Sequence, residues 1–303
     1  MRNFLRKVPL PISGVMLGFA ALGNLLQSYG EGWHRACGIS AGFILILLLL
    51  KLVFLPGDFV RDMKNQVTAG IAGTFPMALM LLSVYLKPYI GQASMTIWFA
   101  AIILHAALVI FFTVSFIRAK NIPDFLASYF IVYVGMAVAS VSAPAYGMQP
   151  LGYGIFVLSF VLFLVLFVFV TFRYLKYPVK KDSLKPLFCI YTAPCSLCLA
   201  GYLQSASVKS AGMVIFMLVF SFALYLAAFI NLFRCLALPF FPSYAAFTFP
   251  FVISAIAVKQ TNAFFLKAGE PLMWLKYAAS AETVIAAVMV LYTFVRFLKE
   301  VFS

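Results

Sequence analysis

The side chains that could do chemistry are few. There are eight carboxylates (Glu31, Asp58, Asp62, Asp124, Asp182, Glu270, Glu282 and Glu300), two histidines (His34 and His105) and five cysteines. Hydrolytic or proton-transfer catalysis needs a nucleophile beside its base, a carboxylate pair or a metal cluster. The sequence has no H-E-x-x-H, no paired aspartates and no G-x-S-x-G beside a histidine. Cys195 and Cys198 form a C-x-x-C, a redox motif in a soluble βαβ setting. Here the pair lies in an apolar run, where cysteine serves as a small apolar residue. No catalytic residue, no metal site and no cofactor is expected.

Two ionisable groups fall in the middle of apolar runs, His105 and Glu282. Such groups are expensive at membrane depth and often functional. Three readings stand open for them. They pair with a neighbouring helix, they sit at a subunit contact, or they meet in the interior of a membrane enzyme or sensor.

The elements that position these residues follow from composition. The 303 residues are 65% hydrophobic and 10% charged, with a mean hydropathy of +1.06. Soluble domains carry roughly 25% charged residues, so most of this exterior must face lipid. The net charge of +14 does not point to nucleic acid, because the basic residues sit in short loops rather than on one polar face.

A spanning helix needs about 20 apolar residues, and ten such runs are predicted. They cover 10–28, 36–55, 67–86, 94–117, 124–143, 151–174, 186–204, 211–235, 242–259 and 273–298. Their continuous apolarity argues for helices over a β-barrel. Arg2, Arg6 and Lys7 before the first run resemble a signal peptide. Without a small-residue cleavage site, the first run is read as a retained helix. The reading is one all-α transmembrane domain over 1–303. With ten spans, 16 of the 22 lysines and arginines fall on the side of the termini and 6 on the other, which places both termini in the cytoplasm.

The even-numbered spans are bulky, as in FVLSFVLFLVLFVFVTF of the sixth. The odd-numbered spans are rich in Gly, Ser, Thr, Ala and Pro. Small residues permit close helix packing, and breakers are tolerated where backbone lines a cavity. Odd helices are therefore expected inside and even helices outside. Thr74-Phe75-Pro76, Thr192-Ala193-Pro194 and Thr248-Phe249-Pro250 repeat one pattern, with Gly18 and Gly135 at the matching places of spans 1 and 5. The series 18, 76, 135, 194 and 250 steps by 58, 59, 59 and 56 residues. Chance is the alternative, since Gly and Pro are common in membrane helices. Read as a repeat, it gives five helical hairpins in quasi-fivefold order around a central pore. The candidate pore lining is Gly18, Thr74, Phe75, Pro76, Gly135, Thr192, Pro194, Thr248 and Pro250.

An uncharged passage of hydroxyls, glycines and kinks suits an ion that must not bind tightly. The rims suggest its sign. Lys87, Lys209 and Lys259 follow the outer ends of spans 3, 7 and 9, and Lys7, Lys64, Lys120 and Lys185 precede the inner ends of spans 1, 3, 5 and 7. Such mouths attract anions, although the inner set also satisfies the positive-inside rule. Phe249, between Thr248 and Pro250, is either a packed core residue or a hydrophobic constriction.

The opening PLPISGVMLGFAALGN, the ninth-span segment PSYAAFTFPFVISAIAVKQ and the ten-span layout resemble the tellurite-resistance/dicarboxylate transporter family. That family includes bacterial TehA, the slow anion channels of plant guard cells, and yeast malate and sulfite carriers. The resemblance implies a homotrimer whose protomers each carry a central pore, in a multi-pass integral membrane protein, here of a bacterial inner membrane. It implies small inorganic or carboxylate anions and the lipid bilayer as partners, and no nucleic acid. In the family an aromatic of an A-[FY]-[ST]-F motif blocks the pore. Ala246-Phe247-Thr248-Phe249 matches, which carries the gate role to Phe249. The sequence has no long tail, so phosphorylation control of the plant type is not expected. The resulting expectation is a passive anion channel or facilitator for chloride, nitrate or similar ions. The alternatives are a secondary transporter of C4-dicarboxylates such as malate, or an exporter of sulfite- or tellurite-type oxyanions.

Overall fold

The computed structural model describes residues 2–117 and 122–302; Arg118 and Lys120, counted among the basic loop residues, lie outside them. Among the described residues there is no β-strand, and nine helices are long and apolar enough to cross a membrane. In chain order the main helices are α1 (Ile12–Leu26), α2 (Glu31–Phe54), α3 (Gln66–Ile90), α4 (Ala93–Ile117), α5 (Ser128–Tyr146), α6 (Gln149–Lys176), α7 (Asp182–Ser205), α8 (Ala211–Leu236), α9 (Pro242–Lys267) and α10 (Met273–Phe302). The one below spanning length is α1. Its 15 residues rise about 22 Å at 1.5 Å each, against roughly 30 Å of hydrocarbon. It is also the helix most enclosed by protein, with only Asn24 and Leu26 not buried.

The helices form two shells. The most apolar windows of α2, α4, α6, α8 and α10 are 22–39% buried, and those of α3, α5, α7 and α9 are 61–94% buried. Each even helix packs on the odd helix before it. The odd helices pack in sequence, α1 on α3, α3 on α5, α5 on α7 and α7 on α9, and α9 returns to α1. The result is a closed ring of five inner helices with five outer helices around it. Leu, Ile, Val and Phe cover the outside because they face lipid at no cost, and small residues fill the ring because only they let five backbones approach.

Ring closure is a tight contact. A Cβ on Gly18 would lie 2.7 Å from the Thr248 Cβ, and one on Gly14 would lie 2.9 Å from the Ala245 Cβ. The Thr248 hydroxyl donates to the Gly14 carbonyl at 2.8 Å and lies equally close to the Ala245 carbonyl. On the other side of α1, Thr74 Oγ1 donates to the Ile71 carbonyl at 2.7 Å. It can therefore only accept at 2.8 Å from Ser13 Oγ. α1 is thus hydrogen-bonded to both neighbours within its first turn.

Each long inner helix is broken near its middle. α3 breaks at Gly73, α5 winds as a 3-10 turn over Gly135–Ala137, and α7 changes from 3-10 to α after Thr192. In α9 the backbone departs from helical geometry at Thr248, with φ −98° and ψ −96°. The breaks fall close to the residues singled out from the sequence, except in α1. That helix starts after Pro9-Leu10-Pro11, so its irregular point precedes Gly18. At one end of the bundle, the Phe4 ring lies 5.5 Å from that of Phe302, so the two ends of the chain meet on one face. There Lys51, buried on α2, donates to the Val8 carbonyl at 2.6 Å and pairs with Asp62 at 3.2 Å.

Gly18→Leu is expected to lower the thermal midpoint of the detergent-solubilised protein. Overpacking of this kind costs about 1–3 kcal/mol. Gly42→Leu, where nothing lies within 4 Å of the added Cβ, is expected to leave the midpoint unchanged. Equal midpoints for the two variants would refute the closing contact.

Candidate functional site

All five inner helices contribute to two cavities on the axis of the ring. The smaller, about 30 Å³, is walled by Gly14 of α1, Thr74 and Met77 of α3, Gly135 of α5, Pro194 of α7 and Phe249 and Pro250 of α9. The larger, about 340 Å³, lies toward the other ends of the same helices and includes Asn24, Gln27, Ser142, Gln204 and Gln260. The small cavity is almost wholly carbon-lined, whereas the large one carries amides and a hydroxyl. Two residues line both, Leu197 of α7 and Phe249 of α9. They are 2% and 5% exposed, and they form the partition between the chambers.

Local sequence explains the wall. On α9 the lining residues include Ala246, Phe249, Ile253, Ile256 and Gln260, in steps of three and four that keep one helical face on the axis. The α-helical segments of α3, α7 and α9 restart at Thr74, Ala193 and Phe249, level with the small cavity. A helix start carries partial positive charge from its N–H groups. Pro194 and Pro250, in the first turn of their segments, remove a donor that would lack a carbonyl partner there.

A family model described as voltage-dependent anion channel, SLAC1, matches residues 8–298. The chain belongs to the SLAC1 family. No curated protein matches it in a search by sequence. The match spans nearly the whole chain, and the resemblance to the tellurite-resistance/dicarboxylate transporters is the same relationship. The protein is accordingly an integral, multi-pass membrane protein of an anion channel and transporter family.

In this SLAC1-family ring the candidate residues divide by face. Thr74, Gly135, Pro194 and Pro250 lie on the small cavity with Phe249. Gly18, Thr192 and Thr248 are buried between helices and line neither chamber. Phe75 and Pro76 turn away from the axis, into a groove between α2 and α4. α3 carries the Thr-Phe-Pro triplet in a different rotation from α9, so equal spacing along the chain does not give an equal face. The lysines expected at the outer rim do lie near inner-helix ends, but their amines are committed. Lys87 donates to the Ala145 carbonyl, Lys209 to that of Ala206 at 2.8 Å and Lys259 to that of Leu25 at 2.8 Å. Each caps a helix C-terminus, where carbonyls and the negative dipole end favour a cation.

His105 and Glu282 both point inward from their outer helices. This excludes the subunit-contact reading, and they stand on different helices, α4 and α10. His105 is fully buried and shares a 2.9 Å hydrogen bond with the Val132 carbonyl between the breaks of α3 and α5. Glu282 is buried facing α9, without a hydrogen bond of normal length. The five cysteines are free and buried, and Cys195 donates to the Met217 carbonyl. Among the described residues there is no group of three metal-ligating side chains. Sequence reasoning missed Leu197, Gly14 and the four vestibule amides. Of these, only Gln260 carries a local signal, the three-and-four spacing along α9 from Phe249.

Because every native cysteine is buried, introduced cysteines can map the wall. Gln204→Cys and Ile256→Cys are expected to react with a charged thiol reagent added from the water on their side. Phe75→Cys is expected to react only with a lipid-soluble maleimide. A charged reagent that labels Phe75→Cys faster than Ile256→Cys would overturn the assignment of faces.

Proposed function

We propose that the protein is an anion channel or facilitator whose pathway is the ring axis and whose gate is Phe249. One observation carries this reading: Phe249 borders both axial cavities and, with Leu197, separates them. A ring across a carbon-lined constriction excludes water, and an ion cannot shed its hydration there. Removal of the ring joins the chambers.

Selection for anions is supported by the helix starts around the small cavity, which favour negative charge. It is also supported by the absence of a carboxylate from either chamber wall. The vestibule amides offer neutral donors that hold an anion weakly, as passage requires. Chloride and nitrate are the expected ions, and transport is passive.

Ten crossings are supported by parity. Nine long helices would set the two chain ends on opposite faces, yet Phe4 and Phe302 meet, so α1 with its flanks completes the tenth. The loop lysines and arginines support that face as the cytoplasmic one, and the membrane in this reading is a bacterial inner membrane. Lys87, Lys209 and Lys259 are left around the outer mouth, where they draw anions in while capping helix ends. Assembly as a homotrimer, with one pathway per protomer, is part of the same proposal and rests on the family resemblance.

The test is anion current from wild type and Phe249→Ala in planar bilayers, under chloride, nitrate and malate gradients. The expected result is a current in the variant that wild type lacks, with reversal potentials following the permeant anion. Phe249→Trp should stay closed. Loss of a buried Phe costs about 3–5 kcal/mol, so each protein is first checked for a single size-exclusion peak. Absence of current from a folded Phe249→Ala, with saturable malate uptake by wild type, would establish the dicarboxylate carrier instead.

A further inference from the structure

A recess larger than either axial cavity lies off the axis. It is a groove of about 820 Å³ on the lipid-facing side, between α2 and α4, with Phe75 and Pro76 of α3 as its floor. Its walls include Leu48 and Leu104, and both flanking helices expose large apolar side chains such as Ile46, Leu49, Ile103 and Ile110. The groove therefore opens into the hydrocarbon. Toward the face where the chain ends meet, the short helix Pro56–Met63 closes it by presenting Phe59, Val60 and Met63, while Arg61 stays exposed. This is the pattern of a helix lying in the membrane interface.

At that end the groove runs into a second, polar recess of about 340 Å³, and the two share Lys64 and Phe116. Arg173 of α6 lines the polar recess. It is 6% exposed, its Nε donates to the Pro123 carbonyl at 2.9 Å, and its Cζ lies 4.8 Å from the centre of the Tyr174 ring. One guanidinium nitrogen, Nη1, is buried with no partner. Among the described residues no carboxylate pairs with Arg173 or with Lys64. Asp124 also borders the recess, so among the described residues its walls sum to a single positive charge. A buried guanidinium is costly unless its charge is met, and its planar donors suit phosphate. The last turn of α4, Thr113–Ile117, winds as a π-helix and passes between the two recesses, with Ser115 and Phe116 on the groove. Such bulges recur at functional sites.

We infer that this continuous recess binds one anionic phospholipid, with an acyl chain along the α2–α4 groove and its phosphate held by Arg173 and Lys64. An acyl chain matches the apolarity of the groove, and a negative charge matches its basic polar end. The site has a route to the axis. The acyl chain rests on Phe75 and Pro76, directly behind Thr74, which lines the small cavity. A lipid seated there braces α3 from outside at its break.

The experiment uses the full chain in a mild detergent, native mass spectrometry, and phosphatidylglycerol or phosphatidylcholine added at equal concentration. Wild type is expected to retain phosphatidylglycerol in preference to phosphatidylcholine. Lys64→Gln should weaken that retention roughly fivefold, the effect of one basic residue on an anionic lipid. Ala107→Trp, at an exposed position on the groove wall, should abolish it without touching the polar end. Arg173→Gln is compared with wild type only if it elutes as a folded protein, because Lys64→Gln and Ala107→Trp carry the test. Equal retention of the two lipids, or full retention by Ala107→Trp, would overturn the proposal. Displacement of the retained lipid by millimolar glycerol phosphate would show a site for a free phosphate ester instead. A change in oligomer mass on Ala107→Trp would show that the groove is a contact between copies of the chain.

Discussion

The hydroxyl of Thr248 on the carbonyl of Gly14 joins the last inner helix to the first, and the axial chambers exist because that joint closes. Lipid supplies no hydrophobic force to draw helices together, so association in the membrane rests on close packing and interhelical hydrogen bonds. At the closing joint both act at once. Two glycines of α1 remove the side chains that would hold α9 away, and the threonine uses the carbonyl they uncover. Every other inner contact joins helices near in sequence. This one spans 234 positions, and it turns a row of hairpins into a ring.

Closure also permits the breaks. A helix interrupted at mid-membrane frees backbone groups that lipid cannot satisfy, so such interruptions survive only inside protein or beside a cavity. The outer helices provide that shelter. They are long, unbroken except for the π-turn of α4, and apolar on the side that meets lipid. The same division explains the lysines at the far ends of the inner helices. Each stands on carbonyls that the end of a helix leaves open, so one side chain finishes each of these helix ends.

Much of this was legible in the sequence. The alternation of bulky and small-residue spans predicts two shells, and the shells are present. Gly135, Thr192 and Thr248 themselves stand at breaks, and the break of α3 at Gly73 adjoins Thr74. What spacing along the chain could not reveal is rotation about each helix axis. The Thr-Phe-Pro triplet of α3 presents its threonine to the axis, and that of α9 presents its phenylalanine and proline. A rotation of this size depends on which neighbour each helix packs against, and no local signal encodes it. The first helix misled for a different reason. Pro9 and Pro11 delay its start, which moves its axial position from Gly18 to Gly14. The vestibule amides were hidden because Asn and Gln near the end of an apolar run read equally well as loop residues.

The ring has fivefold order without fivefold identity. A channel assembled from five identical subunits repeats each wall residue five times, so one substitution alters the bore all the way round. Here a single chain supplies all five sectors, and a substitution changes one of them. Phe249 has no aromatic counterpart at its level from α1 or α7, where Gly14 and Pro194 stand. Five phenyl rings would not fit in a bore this narrow, whereas one fits against Leu197. Five unlike sectors in one chain thus allow a partition carried by Phe249 and Leu197 alone, and they leave the other three free to change independently of it.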